Sequence, residues 1–243
     1  MAFGGLDAGF LQSASVFNPD YPLGVPVIEL VAYRFCGLPN ELVPLQTGLL
    51  FVAFPFALVG VLRDRVAPLL VWVVALAIAL APSLQTQAAS AVADVPLGAF
   101  FALAGVAAWR WIELGESEFL WLGGALAAAA VASKLEGAVF VAVLFVCLGV
   151  AAPRVGRPLR ALVAVAVAVA VTAAPWELWS REHSLGNAFS DAGGAGSVDL
   201  LDVTGRLPRA AEAIARELVD PSSWLALVVL AVVAFAIAAA SVM

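Results

Sequence analysis

The chain is 243 residues long, 63% of them hydrophobic and only 12% charged, with a mean hydropathy of +1.03. An ordinary soluble domain carries roughly 25% charged residues, so the composition excludes one. The formal net charge is −6, and the 12 Lys and Arg form no basic patch, which argues against nucleic acid as a partner.

The segment 1–41 reads as external. Within it, Tyr21–Gly37 is hydrophobic but holds Pro22, Pro26, Glu29 and Arg34 in a run too short to cross a bilayer, and it is expected to be a juxtamembrane helix in the outer interface. A crossing takes about 20 apolar residues. Seven stretches approach that length: Leu42–Leu62, Val66–Leu84, Val95–Trp109, Phe119–Ser133, Gly137–Ala152, Leu159–Trp176 and Trp224–Met243. The pair flanking Lys134 and Glu136 could be one broken hairpin. The expected fold is therefore an all-α polytopic transmembrane bundle of about seven spans. Six lie within 42–176, an external loop with an amphipathic helix covers 177–223, and a final transmembrane helix covers 224–243. The Ala/Val alternation of Ala161–Val171 imitates a strand, but lipid requires internal backbone hydrogen bonding, so it should be helical. Gly193–Gly196 has neither the strand-to-helix context nor the following Lys-Ser/Thr of a phosphate loop, and reads as flexible linker. In Arg206–Val219, Leu207, Ala211, Ile214 and Leu218 recur on one helical face with Glu212 and Arg216 at i,i+4 opposite. That pattern predicts an external helix lying against the bundle or the lipid. The two cysteines, Cys36 and Cys147, support neither a disulfide framework nor a Cys-based metal site.

Arg63 and Arg65, then Arg110, then Arg154, Arg157 and Arg160 fall in alternate connections. The positive-inside rule makes those connections cytoplasmic, and the Gln85–Asp94 connection, the Lys134–Glu136 turn and the Glu177–Ser223 loop external. The same parity keeps Tyr21–Gly37 from crossing, because one more span would turn every arginine loop outward. All but Asp64, Glu113, Glu116 and Glu118 of the 18 acidic residues then face outward. The expected location is the plasma membrane with the active face outside. Met1–Phe17 lacks the basic and apolar regions of a signal peptide, and the last apolar run stops at Met243 without a cytoplasmic flank, so truncation at both ends is expected.

No expected span carries a charge in its interior, where a proton-coupled transporter or ion channel would place them. The charges gather instead at outer span ends: Asp20, Glu29, Glu41, Asp94, Lys134, Glu136, Glu177, Glu182 and His183. Such a rim suits a lipid-linked donor, whose tail stays in the bilayer while its phosphate sits at the interface. A carboxylate there can take a proton from an acceptor hydroxyl. Lys, Arg, His, or a divalent cation such as Mg or Mn held by carboxylates, can stabilise the departing phosphate. Asp94 and Asp20 are the catalytic candidates, Asp94 also the candidate metal ligand, and Tyr21, Lys134, Glu136 and His183 the candidates for substrate binding. Each also has a structural reading. Asp94 before Val95-Pro96 makes a good N-cap, and Asp20-Tyr21-Pro22 makes a turn with Tyr21 as headgroup anchor. Lys134 and Glu136 can form the polar tip of a hairpin, and His183 can be a solvated loop residue. Trp109, Trp111, Trp176, Trp179 and Trp224 at span ends read as interfacial belt residues.

Four segments in order resemble the GT-C class of membrane glycosyltransferases, the group that includes protein mannosyltransferases and aminoarabinose transferases. Asn18-Pro19-Asp20-Tyr21-Pro22-Leu23 is similar to the family's hPDYPpl segment of the first external loop, and Ala93-Asp94-Val95-Pro96-Leu97 resembles the aDvPl opening of a later span. Ser133-Lys134-Leu135-Glu136-Gly137 looks like the tKpEG turn, and Ala174-Pro175-Trp176 through His183-Ser184-Leu185-Gly186 is similar to the lPWxxW…HGL approach to a large external loop. The resemblance implies inverting transfer of a sugar from a polyprenyl-phosphate donor to an acceptor outside the cytoplasm, with an external-loop Asp as base. The chain departs from the family at its start. The usual first span and the acidic motif carrying the base would lie upstream of Met1, and Asp7 sits in no matching motif, so the chain reads as a piece of such an enzyme. The alternative is a non-enzymatic polytopic protein, a transporter or scaffold subunit, in which rim charges only cap helices. The enzyme reading requires Asp20, Asp94, Lys134 and His183 to surround one outward cavity.

Overall fold

Proline opens four of the helices, because a residue with fixed φ and no N–H suits the first helical position. The structure is a computed structural model and describes residues 22–36, 44–90, 92–182, 200–224 and 231–232. In chain order its helices are α1 (Gly24–Cys36), α2 (Pro44–Leu62), α3 (Pro68–Ala79), α4 (Pro82–Ala89), α5 (Asp94–Leu114), α6 (Ser117–Ser133), α7 (Leu135–Arg154), α8 (Leu159–Glu182), α9 (Leu200–Val219) and α10 (Pro221–Trp224). No strand occurs among the described residues. The helices form two compact units: α1 with Pro96 onward through α8, and α2 to α4 up to Val95 with α9 and α10.

In the first unit, α6 packs against α7 and α8, and α1 lies on α6. The core uses small residues to bring helices close: Ala104 and Ala108 of α5, Ala127 and Ala130 of α6 and Ala152 of α7 share one buried cluster with Trp111 and Val165. The outward surface is the more apolar one. On α8, Val165 and Val169 are buried while Val163, Val167 and Val171 are exposed, so the alternating run is a helix with one valine stripe inward and one outward. Exposed Leu, Val and Phe on this scale would be untenable in water and are ordinary against lipid.

At one end of this unit, Gly115 takes the left-handed conformation at φ +81°, which closes the α5–α6 turn, and the Arg157 guanidinium packs against it. Arg157 Nε donates to the Ile112 carbonyl at 3.0 Å and its Nη2 to the Glu113 carbonyl at 2.7 Å. Those carbonyls belong to the last turn of α5 and have no intrahelical donor. Arg110, expected in a loop, is instead inside α5 and only 4% exposed, with Nη1 3.4 Å from Glu113 Oε2 and its guanidinium 5.3 Å from the Phe119 ring centroid. The helix outruns the expected end at Trp109, and within it the Arg110 guanidinium is partnered by Glu113 and the Phe119 ring. Trp111, expected as a belt residue, is 1% exposed and belongs to the core.

In the second unit, α2 and α3 form a hairpin, with α4 against α2, α10 against α4, and α9 against α10. Val66–Leu84 is not one straight helix. Pro82 holds Ala81 extended at ψ 120°, and the α3 and α4 axes bend by 64°. Gln85 Nε2 spans the break, donating to the Ala79 carbonyl at 3.0 Å.

Among the described residues, α2, α5, α7 and α8 are long and apolar enough to cross a membrane, and α3 with α4 makes a fifth if the bent pair is one span. α6 is apolar but only 17 residues long. The described residues thus hold four or five candidates against the expected seven, and Trp224–Met243 falls largely outside them.

Candidate functional site

Lys134 is the single residue between α6 and α7. Its extended backbone, φ −160° and ψ 152°, reverses the chain between two helices that pack on each other. The contiguous segment Ser133-Lys134-Leu135-Glu136 thus stands at the end of the unit opposite Arg157. Lys134 Nζ lies 3.3 Å from Glu136 Oε1, with side chains 15% and 35% exposed. Glu136 Oε2 is buried and has no hydrogen-bond partner. Glu136 also stands in the first turn of α7, where a carboxylate complements the positive end of the helix.

Beside this turn is a cavity of about 460 Å³, within the range of small-molecule sites. Pro22, Leu23, Gly24 and Val27 of the α1 region form one wall. Ala128, Val131 and Ala132 of α6 and Leu135 and Ala138 of α7 form another, and Thr172, Ala173, Pro175, Trp176, Glu177 and Trp179 of α8 close it. Ala132 and Leu135, which bracket Ser133 and Lys134 in the chain, are lining residues, so the α6–α7 turn adjoins the cavity. The lining is apolar apart from Glu177, the indole N–H groups and Thr172, whose hydroxyl donates to the Val169 carbonyl at 2.7 Å. Trp176 and Trp179 stack with centroids 5.2 Å apart and planes 28° from parallel.

The α8 wall exists because the helix runs on to Glu182, whereas a loop was expected from Glu177. Pro175 costs one backbone hydrogen bond, which a helix in lipid tolerates as a kink. The two tryptophans read as belt residues are therefore cavity walls. Their i,i+3 spacing was the signal that could have placed them on one helical face.

Of the residues singled out in the sequence, the structure brings together Lys134 and Glu136. Asp94 is the first residue of α5, where its charge favours the helix N-terminus, and it belongs to the second compact unit. Asp20, Tyr21 and His183 lie outside the described residues. Among the described residues there is no group of three or more His, Cys, Asp or Glu side chains that could hold a metal ion. No family model, curated protein or solved structure matches the chain.

Proposed function

We propose that this chain is a membrane glycosyltransferase of the GT-C type, or a piece of one, that passes a sugar from a polyprenyl-phosphate donor to an acceptor on the outer face of the cytoplasmic membrane. The observation that carries this reading is the apolar cavity walled by Trp176 and Trp179 beside the α6–α7 turn that holds Lys134 and Glu136. A polyprenyl phosphate has the same division: a hydrocarbon chain next to one anionic group at the interface.

In this reading a segment of the lipid tail occupies the cavity and its phosphate lies at the Lys134 turn. The acceptor hydroxyl loses its proton to a carboxylate as its oxygen attacks the anomeric carbon; Asp94 and Asp20 are the sequence's candidates for that base. The bond from that carbon to the phosphate oxygen breaks with inversion, and Lys134 offsets the charge that develops on the departing polyprenyl phosphate. Glu136 holds the lysine in place and offers its buried oxygen to a hydroxyl. Tyr21 and His183 would complete the headgroup side.

A non-enzymatic polytopic protein, a transporter or scaffold subunit, is favoured by one observation: Lys134 and Glu136 already neutralise each other, as a hairpin tip would. The deciding experiment reconstitutes the chain in vesicles with a polyprenyl-phosphate sugar and follows release of polyprenyl phosphate. Turnover that drops in Asp94→Asn supports the enzyme. Saturable donor binding with no turnover assigns the cavity to lipid binding alone, and no binding rejects the reading.

A further inference from the structure

We infer that α9 is a membrane-surface helix whose Ala211, Ile214 and Leu218 face rests on the headgroup–acyl boundary of zwitterionic lipid. Three observations carry this. First, no described residue covers the face: residues 211–219 are all exposed, with Ile214 at 59% and Leu218 at 40%, although α9 packs on α10 at its C-terminal end. Second, the second unit ties α9 to a candidate span. α3 turns by 64° into α4, and the two pass as one span only together; α10 packs on α4, and α9 on α10. α9 is thus held beside the helices that enter the bilayer, while its own sequence is too polar and charged to cross it. Third, the polar side is electrically balanced. α9 carries Arg206, Arg209 and Arg216 against Asp202, Glu212 and Glu217, and Arg216 pairs with Glu212 one turn away.

A second copy of the chain is a poor occupant. Stable protein interfaces bury about 800 Å² per partner, and the stripe of one short helix offers far less. The bilayer needs no such area, because the spans already hold α9 beside it and docking is intramolecular. The missing net charge separates this helix from the basic amphipathic helices that select anionic membranes, so apolar burial must supply the attachment.

The test uses the full chain with Cys36→Ser and Cys147→Ala, in nanodiscs holding one copy each. An environment-sensitive fluorophore is attached through Ile214→Cys or Leu218→Cys, with Glu217→Cys as the polar-face control. Discs are made of phosphatidylcholine alone or with phosphatidylglycerol added. The expected result is blue-shifted emission at 214 and 218, quenching by lipids spin-labelled near the headgroup, and iodide quenching several-fold weaker than at 217, equal in both lipids. Iodide quenching at 214 equal to that at 217 would put the helix in water and overturn the inference. Shielding from both quenchers would mean a protein surface covers the face, and lipid quenching confined to the anionic discs would mean an electrostatic attachment; either also overturns it.

Discussion

The most direct probe of how the cavity is held together is Gly24→Ala. Gly24 is where α1 touches α6: a methyl there would meet the Ala132 carbonyl oxygen, with the carbonyl carbon at 2.8 Å and Ala132 Cβ at 3.0 Å. Ordinary contact begins near 3.4 Å, so α1 must retreat by at least 3.4 − 2.8 = 0.6 Å, because the α6 backbone it meets is fixed in a helix. Overpacking of this kind costs about 1–3 kcal/mol, equivalent to roughly 5- to 150-fold in the equilibrium between docked and undocked α1. The change should be local, since α1 contributes one wall of the cavity while α6, α7 and α8 pack on one another without it. Hydrogen–deuterium exchange in detergent should show faster exchange across Gly24–Cys36 with α6 to α8 unchanged, and binding of a polyprenyl phosphate should weaken in parallel. Unchanged exchange in α1 would show that the Gly24–Ala132 approach does not hold that wall. An equal rise in every helix would show that α1 is part of the core and not a separable wall.

Three further outcomes are expected. Arg157→Ala removes the two donors from the Ile112 and Glu113 carbonyls and should lower stability by about 1.5–3 kcal/mol, read as a lower thermal midpoint in detergent; Arg157→Lys should recover only part, because an ammonium lacks the fork. Lys134→Gln should weaken polyprenyl phosphate binding by about tenfold, the equivalent of one charge-assisted hydrogen bond, while binding of the uncharged polyprenol stays as it was; equal loss for both lipids would mean the residue only shapes the turn. Asp220 accepts hydrogen bonds at 2.8 Å from both the Ser222 hydroxyl and its N–H, which hold the carboxyl below its usual value of 3.8. The folded pKa is the lower one, so the cap is fully present above pH 3.8 and is lost as pH falls through the depressed folded value. Fluorescence of Trp224, four residues on, should change in that acid range and lose the change in Asp220→Asn.

The sequence and the structure agree wherever one physical rule dominates a contiguous segment. Backbone satisfaction in lipid made Ala161–Val171 a helix despite its strand-like alternation, and Tyr21–Gly37 contains the helix α1. The amphipathic stripe of Arg206–Val219 is helical too, extended back to Leu200. Disagreement arises where hydropathy competes with a backbone constraint or a distant partner. Val66–Leu84 reads as one apolar run, but Pro82 breaks it. Arg110 looked like a loop residue because an unpaired guanidinium cannot be buried; Glu113 and Phe119 are the partners that hydropathy does not count.

The candidate site divides in the same way. The Lys134–Glu136 turn was legible because its residues are adjacent, and a charged pair inside an apolar stretch must either turn the chain or carry a function. The cavity beside it was not, because its walls come from segments about 150 residues apart, from Pro22 to Trp179. The belt reading of Trp176 and Trp179 drew on their nearness to the expected span end at Trp176, one residue past Pro175. Once α8 is seen to continue through Pro175, helical geometry puts residues three apart on one face, and two stacked indoles on one face need something to face. A proline near the end of an apolar run is therefore a kink before it is a terminus when aromatic residues continue the helical spacing beyond it. Applied to this chain, that criterion moves the two tryptophans from the lipid boundary to the wall of the proposed lipid site, within a turn of Glu177.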